Sequence, residues 1–99
     1  PGHGVVGYAV LWWVQAHGEL ANLAVRREHR GRGFGSRLLD RVLERARELG
    51  IRNLYLEVRV SNERAVGLYE RRGFLEIGRR RDYYQRPRED ARVLLKRLT

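Results

Sequence analysis

Between Arg30 and Ser36 the chain reads Arg-Gly-Arg-Gly-Phe-Gly-Ser, three glycines alternating with bulkier residues, two of them arginine. A run with helical spacing follows. Free N–H groups at a helix N-terminus, together with the helix dipole, favour an anion. Glycine lets such a backbone approach a phosphate with no side chain between. Holding a phosphate-bearing ligand is the chemistry these residue types offer. Two other phosphate loops are excluded by spacing. A P-loop ends in Gly-Lys-Ser/Thr, and this loop lacks the lysine. A dinucleotide fingerprint needs glycine or alanine at its sixth place, directly after a strand. Here Ser36 stands at that place, and the preceding strand-like run stops at Val25. Read by itself, the stretch is either a phosphate cradle or a flexible loop.

The surrounding elements follow from periodicity. Val5 to Val14, rich in valine and aromatics, predicts a strand. Ala16-His17-Gly18 predicts a turn, and Glu19 to Val25 a second strand antiparallel to the first. Arg26 to Arg32 is a polar connection. Gly33 to Leu49 predicts a helix, with Phe34, Leu38, Leu39, Val42, Leu43, Ala46 and Leu49 on one stripe. Arg37/Asp40 and Arg41/Glu44 are i,i+3 pairs on its other face, and Gly50 is a helix stop. Asn53 to Val60 alternates, with Leu54, Leu56 and Val58 on one face and Tyr55, Glu57 and Arg59 on the other. Ser61-Asn62 caps a short helix over Glu63 to Arg72, ended by Gly73. Phe74 to Tyr84 and Ala91 to Leu98 read as strands about a loop, Gln85 to Asp90, that contains Pro87. The order predicts one α/β domain over residues 1–99, a mixed central sheet with flanking helices.

The totals narrow the function classes. Ninety-nine residues hold one core. No stretch approaches the ~20 apolar residues of a membrane span; the run Val5 to Val14 is too short and contains Gly7. No secretory signal peptide is expected at the start, and the absence of methionine implies a start that was processed, trimmed or left out. The chain has no cysteine, which excludes disulfides, thiolate metal sites and cysteine nucleophiles and suits a cytoplasmic location. His3, His17 and His29 have no metal-like spacing and read as surface residues, so no metal is expected. The net charge of +9, with Lys96 the single lysine, admits nucleic acid or an anionic small molecule as partner, or a solvated arginine-rich surface.

The motif Arg30-x-x-Gly33-x-Gly35 matches the R/Q-x-x-G-x-G/A signature of the GNAT acetyltransferases. The chain resembles that superfamily over nearly its whole length, from about Gly7. "ELANLAV" is similar to the family's pantetheine-binding strand. "LYLEVRVSNERAVGLYERRGF" is similar to its next strand, asparagine turn, tyrosine-bearing helix and Gly-Phe. "LEVR-SN--A--LYE--GF" and "RRRDYY…REDA" resemble the RimI-type enzymes, which acetylate the N-terminal amine of a small-subunit ribosomal protein. The resemblance implies the GNAT (acyl-CoA N-acyltransferase) fold, lacking the family's first strand–helix–helix–strand segment, which usually helps form the acceptor groove.

That resemblance implies acetyl-CoA as co-substrate. Leu23, Ala24 and Val25 would hold the pantetheine arm in a gap between parting strands. Gly31, Arg32, Gly33, Phe34, Gly35 and Ser36 would cradle the pyrophosphate, with Arg30, Arg32 and Arg37 adding longer-range attraction. Asn62 would reach the pantetheine. Glu57 matches the carboxylate that acts as base through water, and Tyr69 the tyrosine that protonates the leaving sulfur. The acceptor would be a protein N-terminus, with Tyr83 and Tyr84 lining its groove. Trp12 and Trp13 point to opposite faces, which puts one in the core and leaves the other for a substrate wall. Arg79-Arg80-Arg81 reads as a solvated strand end. The exposed edge of the first strand predicts self-association or a covering segment. The sequence also admits rival readings: an acyl-CoA-binding module without turnover, an enzyme acting on lysine or a small amine, and an RNA-binding protein. The last lacks a known module and leaves the glycine loop unexplained.

Overall fold

The computed structural model describes residues 7–98. Its elements are β1 (Gly7–Val14), β2 (His17–Val25), a short 3₁₀ turn (Arg27–His29), α1 (Phe34–Glu48), β3 (Asn53–Arg59), α2 (Glu63–Arg71), β4 (Leu75–Gln85) and β5 (Arg88–Arg97). The expected order holds. His3, Val5 and Val6 lie outside the described residues. The five strands form one sheet in the order β1-β2-β3-β5-β4. The pair β2–β3 is parallel and every other pair antiparallel.

α1 forms because its apolar stripe faces the sheet. Leu39, Val42, Leu43 and Ala46 are buried, and Phe34 and Leu49 flank them. Gly33 starts the helix at φ 79°, and Gly50 follows it at φ 82°. Both are left-handed positions that favour glycine. The alternation of β3 places Leu54, Leu56 and Val58 against the helices, with Tyr55, Glu57 and Arg59 on the opposite, helix-free face. α2 adds Val66 and Tyr69 to the same core, capped by Asn62, whose Oδ1 accepts from the Ala65 amide at 3.2 Å. Burying a large aliphatic side chain such as Leu39 or Leu54 stabilises the fold by about 1.5–3 kcal/mol.

Four local expectations are corrected. The first hairpin turns at Gln15-Ala16, not at Ala16 to Gly18: Val14 already pairs with His17, and Trp13 with Gly18. Gly18 is a strand residue, and the position takes glycine because a Cβ there would meet Ile51 at 2.9 Å. The loop at residues 85–90 is also shorter than expected. Gln85 pairs with Arg88, leaving Arg86-Pro87 as the turn and lengthening β5. Neither tryptophan enters the core; Trp12 is 55% and Trp13 43% exposed. β1 is an edge strand whose register slips at Val10/Leu11, and it packs inward through Ala9 and Leu11. Finally, Asp40 pairs not with Arg37 but with Arg72, at 2.7 Å, tying α1 to α2, while Arg37 lies over the Phe34 ring. The Arg41–Glu44 pair is present at 3.9 Å.

Candidate active site

β2 and β3 pair over three registers, His17↔Asn53, Gly18↔Leu54 and Glu19↔Tyr55, and then part. Antiparallel pairing with β1 uses alternate backbone groups of β2. The groups that point away from β1 beyond Glu19 therefore have no strand partner among the described residues. The two strands separate beyond that point, and a groove lies on each face of the sheet.

The helix-side groove, about 360 Å³, is lined by Leu23, Ala24 and Val25 from β2, Gly31 and Gly35 from the glycine loop, and Asn62 and Tyr69 from α2. With Arg30, which also lines it, eight of the residues expected at an acyl-CoA site thus meet in one place. The glycines do so for different reasons. Gly31 and Gly33 hold φ near 80° with open space where a Cβ would stand. Gly35 has ordinary helical geometry, and its missing Cβ points at Leu68 and Val25, across the groove. No side chain caps α1, whose first internal bond runs from the Arg37 amide to the Gly33 carbonyl. Its first-turn amides are available to an anion. Arg30 is tied down: its Nε donates to the Val25 carbonyl at 3.0 Å, folding the loop back on β2. Phe34 lies edge-on to His29 and does not line the groove. Nor do Arg32, Gly33 or Ser36. Arg64, Ala65 and Leu68, which sequence reasoning missed, do line it; they lie on one face of α2, and that spacing was the available signal.

Tyr69 packs edge-on to Phe74, and burial pushes its phenol up to about 12. It therefore stays protonated at neutral pH.

The second groove, about 350 Å³, opens on the helix-free face between Trp12, Trp13, Glu19, Tyr55, Glu57 and Arg80. Glu57 stands here, on the opposite face of β3 from Tyr69. Both of its carboxylate oxygens are engaged. Oε1 accepts from the Tyr83 hydroxyl at 3.0 Å, and Oε2 forms an ion pair with Arg80, its Nε 2.6 Å away. The bond to Glu57 raises the Tyr83 hydroxyl above the ordinary phenol range. Arg80, expected to be a solvated strand end, is thus part of the site. Glu19 and Tyr55 were missed as well, because nothing local in the sequence says which side chains a strand gap exposes. Among the described residues no three metal-ligating side chains cluster, and no helix is long and apolar enough to cross a membrane.

Residues 2–74 match the Acetyltransferase (GNAT) family. The chain belongs to the GNAT family. It is 39% identical over 93 residues to the [ribosomal protein bS18]-alanine N-acetyltransferase of Haemophilus influenzae, covering 91% of this chain and 63% of that one. The crystal structure of the ribosomal-protein-S18-alanine N-acetyltransferase from Escherichia coli superimposes with a TM-score of 0.88 at 34% identity, over 95% of this chain and 62% of that one. The NatC complex bound to Gag peptide and CoA gives 0.88 at 29% identity, over 95% and 62%. The chain therefore spans less than two thirds of these GNAT relatives. The mixed sheet and flanking helices are those of the GNAT fold.

Proposed function

We propose that this chain carries the acetyl-CoA site and the reacting groups of an N-acetyltransferase whose acceptor is a protein N-terminal α-amine, that of a ribosomal protein. The observation that carries the reading is the parting of β2 from β3, with Tyr69 lining the groove on one face of the sheet and Glu57 the groove on the other. Relatives named for acetylation of ribosomal protein bS18 support this choice of acceptor.

In this reading the pantetheine arm lies against the free edge of Leu23 to Val25 like an added strand, and the pyrophosphate sits on the glycine loop and the α1 amides. Asn62 Oδ1 caps α2, which leaves its Nδ2 to donate to the arm. The amine enters from the Glu57 face. Through water, Glu57 takes the ammonium proton. The nitrogen attacks the thioester carbonyl and a C–N bond forms; the nitrogen then releases its second proton through the same water to solvent, and the C–S bond breaks. Tyr69 hydrogen-bonds to the departing sulfur as negative charge grows there, and donates its proton. Because burial makes a free phenolate costly, that transfer is coupled to sulfur departure.

An α-amine is the easier acceptor. Its pKa is about 8 against about 10.4 for lysine, so near neutral pH about 250 times more of it is in the nucleophilic form. The test uses two peptides, one with a free N-terminus and no lysine, the other N-terminally blocked with a single lysine. Faster acetylation of the free N-terminus is expected. Faster reaction of the blocked peptide would move the assignment to a lysine acetyltransferase.

A further inference from the structure

A base that works through water must hold one rotamer, and a free glutamate side chain samples many and loses entropy when ordered. Glu57 is held from both oxygens by residues of a different strand, Arg80 and Tyr83 of β4. These two lie three apart. In a regular strand, residues three apart face opposite sides of the sheet, so one carboxylate could not receive both.

β4 is not regular there. Its register against β5 jumps from Arg80↔Ala91 to Tyr84↔Glu89, four steps on one strand against two on the other. Inside the bulge Asp82 adopts φ 51°, a left-handed position that a non-glycine residue takes at some cost. The bulge is pinned by the Asp82 amide, which donates to Asp90 Oδ1 at 2.8 Å. Bulges re-aim side chains, and this one turns Tyr83 back toward the face that Arg80 already occupies. A stack then supports the pair. The Arg80 guanidinium lies 5.4 Å from the Tyr83 ring centre, Tyr83 meets Tyr84 edge-on at 5.1 Å, and Arg59 covers Tyr84 at 4.2 Å. Arg59 is itself held by Glu89 at 3.2 Å.

We infer that the β4 bulge is a positioning device: Arg80 and Tyr83 clamp the carboxylate of Glu57 in the orientation from which it serves the acceptor amine. This rests on the reading of Glu57 as the base. In this role Arg80 and Tyr83 do not act on the reacting atoms directly. Their effect passes through Glu57 and vanishes when Glu57 cannot act.

That dependence is the test. Steady-state kinetics on the free-N-terminus peptide are compared for wild type, Glu57→Gln, Arg80→Ala, Arg80→Lys, Tyr83→Phe, and each β4 variant combined with Glu57→Gln. Circular dichroism and urea midpoints confirm folding, and Tyr83→Phe keeps the ring and its stacking. Arg80→Ala and Tyr83→Phe should each lower kcat by about tenfold to about a hundredfold, as misplaced catalytic groups do, with KM for acetyl-CoA within about twofold. Arg80→Lys should recover part of the loss. In the Glu57→Gln background neither substitution should cost anything further, the non-additivity of groups acting as a unit. If Glu57→Gln lowers kcat but the β4 variants match wild type, or their losses add in full, the clamp is refuted and the base stands. If Glu57→Gln turns over at the wild-type rate, or wild type does not turn over at all, the base assignment falls and the clamp with it.

Discussion

Replacing Tyr69 with phenylalanine tests burial and chemistry in one variant. The Tyr69 phenol sits at about 12 in the folded chain, against an ordinary 10.0, because burial disfavours its charged form. The folded state therefore keeps a proton that the unfolded state gives up first. That contribution is intact below about pH 10 and is lost as pH climbs through about 12. At about pH 11 the unfolded phenol is about nine-tenths ionised and the folded one about one-tenth, so wild type loses about 1.4 kcal/mol relative to about pH 8. Tyr69→Phe has nothing to ionise at this position. Urea unfolding of both proteins at the two pH values gives the difference directly, and every other titrating group cancels between them. The wild-type advantage over the variant should shrink by about 1.4 kcal/mol at the higher pH. A gap that stays constant within about 0.4 kcal/mol would refute the claim that the hydroxyl is buried as described. At neutral pH the same variant should lower kcat by about 10²–10⁴-fold on a free-N-terminus peptide and leave acetyl-CoA affinity within a few-fold. Turnover at the wild-type rate would remove Tyr69 as the acid.

Gly35→Glu projects a carboxylate across the helix-side groove toward Leu68 and should weaken CoA binding at least about tenfold, ~1.4 kcal/mol, by calorimetry; unchanged affinity would end the groove's assignment. Gly33→Ala meets no neighbour but forces alanine to φ 79°, so it should cost about 1–2 kcal/mol of stability, and an unchanged urea midpoint would contradict that geometry. Glu89 accepts the Ser61 amide at 2.6 Å, and the Ser61 side chain, followed by this amide, lowers its carboxyl below the ordinary 4.5. Its stabilisation is present above that value and lost as pH falls through the depressed one, so wild type should lose stability on acidification more steeply than Glu89→Gln; parallel profiles would count against the link between the α2 entry and the β4–β5 hairpin. Tyr8, Val10, Trp12 and Val14 are exposed along edge strand β1, and pairing of that edge with a second copy is expected. A monodisperse 11.7 kDa species in concentrated light scattering would exclude it.

What the sequence determined by itself was local or periodic. The stripe of α1, the alternation of β3 and the stops at Gly50 and Gly73 each depend on residues within a few positions of one another, and each appears where its spacing put it. The glycine signature was legible for the same reason, since its geometry is a property of seven consecutive residues. Tertiary structure decided what depends on neighbours far along the chain. The parting of β2 from β3 after Glu19 and Tyr55 is a property of the pair and not of either strand. So is the division of the site, with Tyr69 on one face and Glu57 on the other. Asp40 chose Arg72, 32 residues away, over Arg37 on its own helix. One of Trp12 and Trp13 looks like a core residue until β1 takes the sheet's edge, where few partners exist to bury either. The clamp on Glu57 was least legible of all, because Arg80 and Tyr83 share a face only after a bulge breaks the period-two rule by which strands are read.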